Sequence, residues 1–385
     1  MHLVFPSVRV IASTCAGFFR LFLAGALLCS AGLSQALAAD KTVPVRVGII
    51  GLTHDHGFGF IPRLRNRPDV ELAGIVETNR GLVEAYASNL QLDTNLFFSS
   101  VAAMQGKSRV DAVAVFTSTF DHKRVVEECV GRGIRSVMVE KPLAVNFEHA
   151  RAIAEIAGRH EAEVIVNYET TWYPVHLAAF KLAVTDRALG TLRKIVAHHG
   201  HPGPTEIGCT EDFVSWLADP VLNGGGALTD FGCYGAVLMT WLLEGKRPTS
   251  VFAVAQQFKP DVYPKVEDEA TIVLTYPGTQ GIIQASWNWP YDRKDLEIYG
   301  ARGYLMLPNS TTLRGRVRGA PEKQLDVPPL TAPEADPVSY LAAIARREIK
   351  PSGMSSLEYN LVVMEILDAA RRSIREGRRV DLPTN

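Results

Sequence analysis

The sequence predicts an α/β protein in two parts. The first is an amino-terminal Rossmann-type, doubly wound parallel sheet, and the second is an α+β domain with an open, largely antiparallel sheet. Three observations carry this. Between residues 45 and 167, short β-branched and apolar runs alternate with helical stretches, the pattern of parallel strands joined by right-handed crossovers. Beyond residue 167, extended runs follow one another, several across turns such as Pro277-Gly278, which favours antiparallel pairing. With 385 residues and 47% hydrophobic content, the chain can bury the cores of two or three domains. Its 40 Lys and Arg residues balance 41 acidic ones, so no charge excess directs it to nucleic acid or an anionic membrane surface.

The first segment reads as a targeting signal. Within residues 1–38 the only charges are Arg9 and Arg20, residues 21–28 are apolar, and Ala36 and Ala38 are small residues at cleavage positions. This predicts a secretory signal peptide cut after Ala38 or Ala39, and a periplasmic or secreted mature chain with no membrane span. The mature chain would keep Cys129, Cys209 and Cys233, an odd number without a close-spaced pair. That is no disulfide scaffold, although one bridge is possible.

The next elements are strands at residues 45–51, 71–77, 112–117, 136–140 and 162–167, with helices at 79–90, 122–132 and 147–159. The turn after the first strand should carry G-x-G-x-x-G, in which glycines let the backbone approach a pyrophosphate and let helix and strand pack closely. Here it reads Gly51-Leu52-Thr53-His54-Asp55-His56, with only the first glycine in register, and Pro62 predicts a late or kinked helix. Glu77 ends the second strand about twenty-five residues on, where an acid binds the adenosine ribose. A carboxylate there favours NAD over NADP, while Asn79 and Arg80 can still accommodate a 2′-phosphate. Gly51, Thr53, His54, Glu77 and Thr117 are therefore the candidate cofactor contacts at this end. His54-Asp55-His56 holds metal-ligand types, but neighbours on one turn rarely converge on an ion without a third ligand. No metal is expected; the loop is read as facing phosphate or substrate.

Lys141 sits where strand 136–140 ends, between Glu140 and Pro142, and so points toward the ligand crevice outside the carboxyl ends of a parallel sheet. The second part opens with a helix over 172–184, then strands at 192–198, 251–258, 270–276, 281–287 and 295–299. Between the first two of these strands lies a glycine-rich stretch leading into a helix that spans roughly residues 235–244. Asp230 and Tyr234, four apart, share one helical face if that helix begins early, and an acid–hydroxyl pair can hold a sugar hydroxyl and move its proton. Trp172 and Trp287 are candidates to stack on a pyranose. The loop 198–208 holds three of the ten histidines, and His201 and Glu206 in it are candidate substrate contacts.

Four stretches carry a family resemblance: VGIIG at 47–51, VEKPLA at 139–144, GGGALTDFGCYG at 224–235 and EGRRVDLP at 376–383. The chain resembles the glucose–fructose oxidoreductase, inositol dehydrogenase and MocA family. The resemblance implies an NAD(P)-binding domain over residues 43–167 and a second domain over 168–385. It also implies that the open sheet face of the second domain serves a homo-oligomer, a dimer or tetramer. The implied reaction is hydride transfer at a hydroxyl carbon of a sugar, glycoside or cyclitol. Lys141 falls on the family's catalytic lysine and Asp230 on its substrate-binding acid. Tyr234 stands where most members have histidine, as in the branch that contains glucose–fructose oxidoreductase and dihydrodiol dehydrogenase.

The expected arrangement places the nicotinamide near Glu140, Lys141 and Asn167. Tyr234 would move the proton, with Lys141 lowering its pKa, while Asp230 orients the hydroxyl. An exported protein meets little free NAD, which favours a tightly held cofactor. Two other readings stay open: a non-redox net reaction using NAD transiently, as in a glycosidase or epimerase, and a non-catalytic sugar-binding protein.

Overall fold

The computed structural model describes residues 43–383, so the predicted signal peptide and its cleavage site lie outside the described residues. The first sheet is built from β1 (Val45–Ile50), β2 (Val70–Val76), β3 (Phe97–Phe98), β4 (Ala112–Val115), β5 (Ser136–Glu140) and β6 (Glu163–Asn167). All pairings are parallel in the order β3-β2-β1-β4-β5-β6, with the topological switch point between β1 and β4. β4 and β5 are buried along their whole length, as apolar runs covered on both faces must be.

The connecting helices are α1 (His56–Phe60), α2 (Arg80–Leu90), α3 (Val101–Gln105), α4 (His122–Gly131) and α5 (Phe147–Arg159). Asn79 and Asn146 cap α2 and α5 through side-chain oxygens that accept backbone N–H groups, which is why those helices begin where the sequence placed them. α1 is only five residues long, because Pro62 turns the chain into a 3₁₀ segment at Ile61–Leu64.

The second sheet has nine strands in the order β14-β13-β12-β11-β7-β10-β9-β8-β15, antiparallel except where β7 and β10 pair in parallel. They are β7 (Leu192–Gly200), β8 (Ser250–Gln256), β9 (Glu269–Tyr276), β10 (Thr279–Ser286), β11 (Arg293–Gly300), β12 (Gly303–Leu307), β13 (Leu313–Arg316), β14 (Lys323–Leu325) and β15 (Val380–Asp381). The five expected runs are all here, and β12 to β15 extend the sheet beyond them. The helix expected over 172–184 is instead α6 (Pro174–Phe180), running into a π-helical turn at Lys181–Thr185.

Four helices went unread in the sequence: α3, α7 (Glu211–Leu217), α10 (Pro337–Ala345) and α11 (Leu357–Glu376). The glycine-rich stretch forms α8 (Ala227–Asp230) and α9 (Gly232–Leu242), broken at Phe231. Asp230 and Tyr234 therefore lie on two helices, and the single shared helix face expected for them is corrected.

α9 and α11 cover one face of the large sheet, while Phe252 and Val254 of β8 are exposed on the other. α10 departs from this plan. Its Val338, Leu341 and Ile344 pack with Val47 and Ile49 in the core of the first sheet, although residues 168–385 were read as a separate domain. The three described cysteines are free. Among the described residues no helix is long and apolar enough to cross a membrane.

Candidate active site

The carboxyl ends of β1 and β5 face β7, β11 and the α8–α9 junction across a cavity of about 430 Å³. The central feature is a buried ion pair that joins the two domains. Lys141, only 5% exposed, donates from Nζ to Asp230 Oδ1 and, at 3.3 Å, to the Asp230 carbonyl. The other carboxylate oxygen, Oδ2, accepts from Trp287 Nε1 at 2.9 Å. Burial works to lower the lysine pKa, yet the Asp230 charge raises it overall. Burial works to raise the Asp230 pKa, but Lys141, His201 and the Trp287 N–H hold it below the usual carboxylate range. Both groups are therefore charged at neutral pH.

Tyr234 lines the same cavity, its ring stacked on His199 at 5.4 Å with Lys141 Nζ 5.2 Å from its centroid. Burial first, then Glu169 and other acids, push its hydroxyl well above the ordinary phenol value. The expectation that Lys141 lowers the Tyr234 pKa is thus corrected: the lysine charge is neutralised by Asp230, and the tyrosine is a protonated donor.

The Rossmann-side wall is a hydrogen-bonded chain. Trp172 Nε1 donates to Asn167 Oδ1 at 2.9 Å, Asn167 Nδ2 donates to Glu140 Oε1, and Glu140 Oε2 lies 3.0 Å from His56 Nδ1. His56 lines both the main cavity and a smaller one of about 190 Å³ beside Asn167 and Trp172. The donor atoms of His54, His56 and Glu140 lie within 4.8 Å of one another. Each already has a partner in the chain, since His54 Nδ1 accepts from the His56 backbone N–H at 3.2 Å.

A strap of residues 209–217 crosses from the second domain onto this loop. Thr210 donates to the Asp55 carboxylate through N at 2.8 Å and Oγ1 at 2.6 Å, and Trp216 Nε1 donates to the Thr53 carbonyl at 3.1 Å.

A dinucleotide fits the crevice at the switch point. A cavity of about 290 Å³ there is lined by Gly51, Thr53, Glu77 and Thr117. Gly51 has φ +78°, and a Cβ on it would stand 2.4 Å from Thr117 Cγ2, so only glycine is accommodated. The Glu77 carboxylate lines this cavity and is held by the N–H groups of Leu52, Thr78 and Asn79. The N–H groups of Thr53 and Asp55 have no partner among the described residues and remain for a pyrophosphate.

The predicted site residues thus divide. Lys141, Tyr234, Asp230 and His201 line the main cavity; Glu140, Asn167 and Trp172 line the smaller one; Gly51, Thr53, Glu77 and Thr117 line the crevice. Four expectations are corrected. Trp287 is fully buried and holds Asp230 rather than stacking on a sugar. Trp172 offers its N–H to Asn167 and packs edge-on against Tyr340, outside the main cavity. Glu206 is taken up by Lys259 and Tyr263. His54 is 1% exposed beneath Phe213 and Trp216, so it faces neither phosphate nor substrate. His199, read as a loop residue, belongs with His198 to β7. Glu169, which accepts from Tyr173 and Lys294, was missed altogether, and His56, read only as part of a loop facing phosphate or substrate, lines the main cavity. The Thr-x-x-His replacement of the two glycines was the signal for His56.

Comparison with known proteins agrees with this geometry. The profile of the GFO/IDH/MocA oxidoreductase family, NAD-binding Rossmann fold, matches residues 45–168, and that of the GFO/IDH/MocA C-terminal domain matches 177–306. The inositol 2-dehydrogenase of Rhizobium meliloti is 24% identical, over 88% of this chain and 99% of its own. The trans-1,2-dihydrobenzene-1,2-diol dehydrogenase of Xenopus laevis is 27% identical, over 65% of this chain and 74% of its own. Among solved structures, the aldose–aldose oxidoreductase of Caulobacter crescentus, complexed with glycerol, superposes with a TM-score of 0.75. It is 22% identical, over 88% of this chain and all of that one. An inositol dehydrogenase homologue of Azotobacter vinelandii complexed with NAD+ gives 0.74 at 19% identity, over 89% and 98% of the two chains.

Proposed function

The chain belongs to the GFO/IDH/MocA oxidoreductase family, and we propose that it oxidises a hydroxyl carbon of a neutral sugar, glycoside or cyclitol, or reduces the corresponding carbonyl, with a tightly held NAD. The observation that carries this is the buried Lys141–Asp230 pair, set at the carboxyl end of β5 in a cavity adjoining the dinucleotide crevice. When bound, the nicotinamide supplies the hydride acceptor or donor, and the residues suited to hold the cofactor are Gly51, Thr53, Glu77 and Thr117 with Glu140 and Asn167. The Glu77 carboxylate in the crevice favours NAD over its 2′-phosphate.

Tyr234 donates a hydrogen bond to the reacting oxygen, Lys141 offers an N–H donor beside it, and Asp230, fixed by two donors, holds the lysine in place. Neutrality of the substrate follows from pairing. Lys141 is matched by Asp230, Lys294 by Glu169 and Arg293 by Asp295, so no cation of the cavity is left for a phosphate or carboxylate. The strap bonded to Asp55 and Thr53 supports slow cofactor exchange.

Purified protein, denatured, should release nicotinamide nucleotide, and a panel of hexoses, glycosides and inositols should change the absorbance of the reduced cofactor. Sugar phosphates turned over in preference to free sugars would overturn the neutral-substrate reading. We also propose export, supported by residues 1–38 and tested by sequencing the amino terminus from a periplasmic fraction. A homo-oligomer through the open face bearing Phe252 and Val254 is tested by light scattering.

A further inference from the structure

Oxidation of a hydroxyl carbon releases a proton, and the groups around the main cavity differ in whether they can take one. Lys141 is an ammonium donating to Asp230, and Tyr234 is a protonated phenol. Asp230 has both oxygens engaged, Asp55 accepts from Thr210, Glu169 accepts from Tyr173 and Lys294, and Asp292 is exposed at the rim. His201 Nδ1 accepts from the Gly203 N–H at 2.9 Å, so its neutral ring keeps the proton on Nε2 and presents a donor.

His56 is set the opposite way. An indole N–H can only donate, so Trp172 turns the Asn167 oxygen toward itself and leaves the Asn167 nitrogen to donate to Glu140. Glu140 then accepts at Oε2 from His56 Nδ1–H. The neutral His56 ring keeps its lone pair on Nε2, which holds no hydrogen bond among the described residues, in a side chain lining both cavities. Of the two imidazoles that line the main cavity, His56 alone presents an acceptor.

We propose that His56 is the proton acceptor of the reaction, and that Trp172, Asn167 and Glu140 are positioning residues that fix its tautomer. As the C–H electron pair leaves to the bound cofactor, the C–O bond becomes C=O and the hydroxyl proton passes to His56 Nε2. The Glu140 carboxylate stabilises the imidazolium, and the proton then leaves to solvent from a side chain 44% exposed. The charged and titratable groups facing this ring are His54 and Asp55 from its own loop, Arg63 after α1, Glu140 and Lys141 at the end of β5, and Glu169 after β6 with its partner Lys294.

The proposal rests on the oxidoreductase reading, and its first test is independent of that reading. Long-range ¹⁵N–¹H spectra of the whole protein without substrate should show neutral His56 protonated at Nδ1; protonation at Nε2 would overturn the assignment. Trp172→Phe, which frees Asn167 to turn over, should give a mixture of tautomers, and an unchanged His56 would remove the positioning role. Cofactor-loaded His56→Gln, or His56→Asn if the glutamine variant does not fold, should lose about a hundredfold or more in kcat. Added imidazole should restore part of the loss, and the acidic limb of the pH profile should disappear while the nicotinamide released on denaturation is unchanged. Wild-type kcat with an unaltered pH profile would sink the proposal. If the wild type turns over no sugar at all, the oxidoreductase reading fails and the spectra still decide the tautomer.

Discussion

Two clusters at the main cavity treat ionisable groups differently. Where the two domains meet, charges are buried and cancelled: Lys141, at the end of β5, against Asp230, with Trp287 filling the remaining carboxylate oxygen. On the Rossmann wall, the chain from Trp172 through Asn167 and Glu140 is polarised in one direction and ends at an open nitrogen of His56. A closed pair fixes geometry and field, because neither partner can change protonation without stranding the other in a poorly solvating interior. An open-ended chain fixes a tautomer and leaves one atom free to gain or lose a proton. Positioning and proton movement are thereby assigned to separate clusters of one cavity.

The strongest way to break this contrast is Lys141→Met. It leaves Asp230 buried without its cation, and removing one partner of such a pair costs about 3–5 kcal/mol. Urea unfolding should show that loss together with a collapse of turnover; wild-type stability would mean that Asp230 is neutral in the folded chain. The wild-type pair also predicts a pH response of stability. The Asp230 pKa is lowered in the folded state, so its contribution is present above the ordinary aspartate value and lost as pH falls through the folded one. The Lys141 pKa is raised, so its contribution is full below the ordinary lysine value and lost as pH rises through the folded one. Stability from the pair should hold across neutrality and decline at both extremes.

Tyr234→Phe comes next. The ring stays packed on His199 and Tyr168, so the unfolding midpoint should barely move, while loss of the donor lowers kcat by about two to three powers of ten. An unchanged kcat would make the tyrosine a packing group and shift the chemistry wholly to the other cluster. The smallest effect is expected from Thr210→Val, which cuts the strap from Asp55. Cofactor release, followed by fluorescence, should quicken several-fold, with kcat on cofactor-loaded protein nearly unchanged. An identical release rate would show that the strap does not limit exchange.

Much of the fold was readable because its signals are local. The runs that became β1, β4 and β5 are mostly apolar and β-branched, and Asn79 and Asn146 start their helices by short-range hydrogen bonds. α11 was equally legible in principle, with Ser356 capping its start and Gly377, at φ +64°, ending it.

For the site, Lys141, Asp230 and Tyr234 were identifiable from their place at a strand end and beside a glycine-rich turn. What lay beyond reach was the use of each polar atom. Whether Trp287 faces a sugar or a carboxylate depends on a contact 57 positions away, and whether His56 is donor or acceptor depends on Glu140, 84 positions away. Spacing along the chain names residue types, but long-range partners decide protonation.

α10 bears on how the molecule comes to exist. The first sheet, complete in hydrogen bonding once Asn167 is made, still lacks the apolar cover of Val338, Leu341 and Ile344. A ribosome must add about 170 further residues before that face is sealed, and until then Val47 and Ile49 have no finished core. The amino-terminal domain is therefore the first to be synthesised and among the last to be completed. A fragment ending at residue 168 should expose a greasy face and clump, and a nascent chain should stay open to chaperones until its last helices emerge.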